Sequence, residues 1–136
     1  MKLDKALTLL VARVMLVMIL VMSGYDKVTH LARTADFMGA IGMPFPGTAM
    51  ALLAGVIELA GGILVLVGWK TRPVALGLAV YLLPVTWFTH LAVAHATADA
   101  TLKLNETFQA FKSFAMAGGL LLLSVTGPGL HAVDRK

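Results

Sequence analysis

Apolar residues along this chain run in long blocks, and polar residues collect between them, without the strict alternation of a half-buried strand. The blocks fall at about 6–25, 49–68, 73–94 and 110–126. Each is close to the roughly 20 residues an α-helix needs to cross a hydrocarbon core about 30 Å thick. The pattern predicts an all-α protein, an integral membrane bundle of four transmembrane helices, with residues 1–136 forming a single transmembrane domain. Composition agrees: 59% of residues are hydrophobic and only 13% charged, against about 25% charged in ordinary soluble domains. Mean hydropathy is +0.87. The residues outside the blocks are too few for a separate soluble domain.

The first block follows Met1–Lys5 like the start of a signal peptide. It is long, is interrupted by Arg13 and lacks a clear small-residue cleavage site, so a retained helix is expected. At about 100° per residue, Arg13, Val17, Leu20, Gly24 and Lys27 share one face of that helix. The face ends in Ser23-Gly24-Tyr25-Asp26-Lys27, read as a polar exit at the outer interface with Tyr25 as an aromatic anchor. Residues 28–48 form an outer loop whose first part predicts a short amphipathic helix with Leu31, Ala35 and Met38 toward lipid. Gly42-x-Pro44-x-Pro46 then forces an extended turn.

Charge distribution bears on topology. Lys2, Lys5, Lys70, Arg72, Arg135 and Lys136, against Asp4 and Asp134, lie on the side shared by both termini and the second connection. Lys27, Arg33, Lys103 and Lys112 face an equal number of acids on the other side. The basic excess predicts cytoplasmic termini. The formal charge of +4 is scattered singly, without a basic cluster or stacking aromatics, so nucleic acid is not an expected partner. The absence of cysteine excludes disulfides, thiol catalysis and Cys-ligated metals or iron–sulfur clusters.

The candidate chemistry lies inside the apolar blocks. Glu58 is at the middle of the second block, on a face with Ala51, Gly55 and Gly62, so it points at a closely approaching helix and not at lipid. An ionisable group at that depth costs a few kcal/mol unless paired, which makes it either a structural pin or a working site. Arg13 lies about 10 Å from the cytoplasmic edge by helical rise and Glu58 about 15 Å from it. The guanidinium either snorkels to the interface or meets Glu58. His90 follows the helix-interior Pro84 near the outer end of the third block, with Thr86 a turn below it. It reads as an interfacial histidine, a proton acceptor or a hydrogen-bond partner for a quinone. Lys112, at a similar outer depth, snorkels or joins His90. The four histidines occupy separate segments, which argues against bis-histidine haem and against a dedicated metal site. No phosphate loop or nucleophilic triad accompanies them, and no catalytic residue is assigned.

The ordered set of Arg13, Ser23-Gly24-x-x-Lys27, Gly42-x-Pro44-x-Pro46, Gly55-x-x-Glu58-x-x-Gly61-Gly62, Gly68-x-x-Thr71-Arg72, His90, Phe111-Lys112 and Ala117-Gly118-Gly119-Leu120 resembles the DoxX family of small four-helix membrane proteins. The family pattern has an asparagine after the lysine of the last span, where this chain has Ser113. The resemblance implies a multi-pass protein of the bacterial inner (plasma) membrane. It also implies kinship with subunits of quinone-linked oxidases or of oxidative-stress complexes, though kinship of fold does not transfer function.

Three functions are open at this level. One is the membrane subunit of a redox or oxidative-stress complex with oxidoreductase partner subunits. It would contact quinone, carry no cofactor of its own and be incomplete as an enzyme alone. The second is a non-catalytic membrane scaffold, and the third a small-solute or proton transporter that would need to form a homo-oligomer.

Overall fold

The computed structural model describes residues 4–134, so Lys2, Arg135 and Lys136 among the topology markers lie outside the described residues. The described residues contain helices and no strands. In order these are α1 (Lys5–Thr29), α2 (Leu31–Ala40), α3 (Thr48–Val67), α4 (Thr71–Thr86), a π-helical segment (Trp87–Leu91), α5 (Ala92–Ala96) and α6 (Ala100–Thr126). α4, the π segment and α5 run on as one span, which gives four helices long and apolar enough to cross a membrane: Lys5–Thr29, Thr48–Val67, Thr71–Ala96 and Ala100–Thr126.

Local chemistry sets the helix ends. Asp4 caps α1 by accepting from the Ala6 amide, and Asp99 caps α6 by accepting from the Leu102 amide. Gly68 closes α3 in the left-handed region at φ 76°, and the Trp69 amide reaches back to the Leu64 carbonyl. Gly127, at φ 81°, ends α6 as the Gly-Pro-Gly sequence predicts. The extended turn also forms, with Gly42 at φ 70° and Phe45 at φ 58°.

The spans pack as two close pairs, α1 with α3 and α4 with α6, and the pairs meet mainly through α3 and α4. Val17, Leu20, Val65, Leu78, Leu82 and Leu120 are central to the core. Small residues let the first pair close up. A Cβ on Gly24 would lie 2.8 Å from the Gly55 carbonyl oxygen, and one on Gly55 would lie 2.8 Å from Val28 Cγ2. Outward-facing side chains stay apolar, with Met15 70%, Met22 66% and Val125 72% exposed. That surface suits a lipid solvent and no other.

Two expectations change. The short helix α2 forms, but Met38 is buried against Ala51 and Ala54 of α3, with Leu31 packed on the same cluster. Its apolar side covers the end of α3 instead of lying on lipid. The second outer loop is also shorter than expected, because α6 begins at Ala100, ten residues before the apolar block. Asp99 supplies the cap, and a polar first stretch can be helical where it stands clear of the hydrocarbon.

Candidate functional site

The buried positions of α1 are Arg13, Val17, Leu20 and Gly24, the face expected from helical periodicity. What that face meets depends on the register against α3. Val28 lies on Gly55, Gly24 on Leu59 and Val21 on Gly62, so the helices run antiparallel and the contacts step in opposite directions. Continuing the progression brings Arg13 beside Gly68, where its Nη1 takes up the space a Cβ would need. Gly68 is about 15 Å along α3 from Glu58 at 1.5 Å per residue. Arg13 therefore does not pair with Glu58. Arg13 lies shallower than the helical rise from the start of the apolar block implies, since α1 begins beyond the end of α3 and its first turns pack on the chain that follows α6.

Lys27 is the partner instead. Its Nζ lies 2.7 Å from Glu58 Oε2 and also donates to Ser23 Oγ. The Tyr81 hydroxyl of α4 donates to Glu58 Oε1 at 2.9 Å. Glu58 is 3% exposed, and both its oxygens are engaged, one from α1 and one from α4. Burial strengthens such bonds and makes the loss of a donor costly. Lys27 lies on the face that helical spacing predicts, but it turns inward to Glu58 instead of forming a polar exit at the outer interface. Tyr81 carried one signal, a phenol at mid-span in an otherwise apolar helix.

At the end that carries both termini, Arg13 is 1% exposed and donates from Nη2 to the His131 carbonyl, while Nε and Nη1 have no partner. The tail is held there by the Val133 amide on the Val67 carbonyl at 3.1 Å and the Asp134 amide on the Gly68 carbonyl at 2.8 Å.

At the opposite end, His90 lies in the π segment. Pro84 cannot donate to the helical ladder, and three residues later the bonding widens, so that the Ala92 amide reaches Trp87. This turns His90 toward α6, where its Nδ1 is 2.7 Å from Glu106 Oε2, both side chains being about a quarter exposed. Glu106 also lines a cleft of about 420 Å³ with Asn105, Phe108, Gln109 and Lys112. Lys112 is exposed and donates to Gln109 Oε1 at 3.1 Å. Glu106 was missed because the sequence placed it in a loop, where its spacing to His90 has no meaning.

The four residues singled out by sequence thus divide. Arg13 lies at the terminal end, Glu58 in the middle, and His90 and Lys112 near the loop end, where Glu106 is bonded to His90 and shares a cleft with Lys112. No hydrogen bond or ion pair among the described residues joins the three places.

The DoxX family model matches residues 8–91, which contain Arg13, Lys27, Glu58, Tyr81 and His90. The chain is 34% identical over 128 residues to the inner membrane protein YphA of Escherichia coli K12, covering 94% of this chain and 89% of that one. It is 32% identical over 126 residues to the inner membrane protein YqjF of the same organism, covering 93% and 88%. No solved structure matches.

Proposed function

This chain belongs to the DoxX family of multi-pass inner-membrane proteins, and from that premise we propose that it is the membrane subunit of a redox or oxidative-stress complex that touches a quinone head group at the loop end. The observation that carries this reading is the His90–Glu106 pair at 2.7 Å, set on a π turn beside a cleft that Lys112 also lines. A carboxylate on Nδ1 fixes the imidazole tautomer and leaves Nε2 to accept a proton from a quinol hydroxyl. The resulting imidazolium is then held by Glu106. Lys112 adds a cation for the oxygen that bears developing negative charge. Electrons pass to a carrier in a partner subunit, and this chain supplies position and proton acceptance. By the basic excess at the terminal end, the termini lie in the cytoplasm and the quinone site near the outer face.

A second reading, a scaffold with no chemistry of its own, is favoured by Glu58, both of whose oxygens are satisfied by donors from two other helices. Purification of the tagged protein from its native membrane in gentle detergent, with mass spectrometry of what accompanies it, separates the two. Oxidoreductase subunits or stoichiometric quinone, lost on His90→Ala, support the redox subunit. A ligand-free homo-oligomer whose composition ignores His90→Ala supports the scaffold.

A further inference from the structure

The terminal end of the bundle holds polar groups used by neither the Glu58 cluster nor the His90–Glu106 pair. Lys70, Thr71, Arg72, Pro128 and Asp134 line a cleft of about 420 Å³ between the start of α4 and the tail after α6. α4 is 16 residues long, and its positive end opens there. Pro73 has no N–H, the Val74 amide donates to the Lys70 carbonyl and the Thr71 amide meets Asp134, so the Arg72 amide is the first-turn donor left over. Thr71 is 1% exposed, and its hydroxyl has no hydrogen-bond partner. Arg13, equally buried, lies under the same tail with Nε and Nη1 unpartnered.

Asp134 is the carboxylate on the cleft, and it meets the Thr71 amide at 3.4 Å, a long contact that leaves the hydroxyl unengaged. No ion pair among the described residues engages Arg13, Lys70 or Arg72. Lys70 Nζ instead stands 5.1 Å from the centre of the Trp69 ring, which keeps it at the interface. Among the described residues, Lys70 and Arg72 thus line the cleft against the single carboxylate of Asp134, around a buried hydroxyl whose lack of a partner is costly.

We infer that this cleft binds the phosphate group of an acidic membrane lipid. Lys70 and Arg72 flank the phosphate, and the Thr71 hydroxyl and the Arg72 amide meet its oxygens, as anions are met at helix N-termini. The lipid is favoured over free phosphate because the cleft opens at the level of Trp69, beside Val67, Leu130 and Val133, all exposed and apolar as acyl chains require.

The test uses the full chain in phosphatidylcholine nanodiscs with graded phosphatidylglycerol, counting bound lipid by native mass spectrometry. Inorganic phosphate is titrated in parallel against the lipid-free protein in detergent. One saturable phosphatidylglycerol per chain is expected. Thr71→Val and Arg72→Gln each weaken it about tenfold, the equivalent of one charge-assisted hydrogen bond. Thr71→Ser retains binding, and Asp134→Asn tightens it by removing the competing charge. Melting in pure phosphatidylcholine identifies any variant that has failed to fold, and exposed Lys70→Gln then stands in for it. Binding that is unchanged in Thr71→Val and in the cation variants overturns the site. Inorganic phosphate bound as tightly as the lipid overturns the lipid assignment.

Discussion

Lys27 and Glu58 form an ion pair at 2.7 Å across the α1–α3 contact, and Arg13, the other cation on the same face of α1, lies beside Gly68 instead. Spacing puts both cations on the buried face, and the Gly24–Gly55 approach decides which one reaches the acid. Lys27→Leu should leave Glu58 buried without its counter-charge and cost about 3–5 kcal/mol. Lys27→Leu combined with Glu58→Leu should recover most of that loss. A thermal-unfolding double-mutant cycle in detergent measures it. Arg13 and Glu58 should give no coupling in the same cycle, because they share no partner.

The phenol of Tyr81 holds the second oxygen of Glu58 at 2.9 Å. Tyr81→Phe should cost about 1–3 kcal/mol, since an acceptor on a buried carboxylate is left open while volume hardly changes. Urea or thermal melts of the purified variant check this. A neutral result would mean that the carboxylate is held by Lys27 alone.

Gly24 offers a test of packing with an internal control. Gly24→Ala places a methyl 2.8 Å from the Gly55 carbonyl and should destabilise the α1–α3 pair by about 1–3 kcal/mol through overpacking. Gly118→Ala, where nothing lies within 4 Å of the added carbon, should be stabilising by about 0.5–1 kcal/mol for a helix interior. Melting temperatures of the two variants should therefore move in opposite directions.

Deleting the chain from Leu130 onward removes the His131 carbonyl from Arg13 and the Val133 and Asp134 amides from Val67 and Gly68. A loss of about 1–3 kcal/mol is expected, together with faster hydrogen exchange in the α3–α4 turn. Exchange as slow as in the full chain would mean that the turn closes without the tail.

On the redox-subunit reading, Glu106→Gln should lower quinone-linked activity of the cell membrane about tenfold or more while folded yield holds. The pair is about a quarter exposed, so its loss should do little to the bundle. Membrane oximetry checks the first part and size-exclusion yield the second.

Four apolar blocks, the buried face of α1 and the acid on the small-residue face of α3 were all readable in the sequence, because helical period and bilayer thickness are local constraints. The Gly-Pro-Gly stop was readable for the same reason, whereas the Asp99 cap that starts α6 ten residues before its apolar block was not. Ion-pair partners were not. They depend on where two helices lock along their length, and main-chain contact at Gly24 and Gly55 sets that, not hydropathy. The role of Glu106 was hidden too, because only the π turn after Pro84 and the early start of α6 bring it to His90. Sequence determined which faces must be buried. Tertiary structure decided which buried charges meet, since a shift of a few residues in register moves an ion pair by more than its own reach.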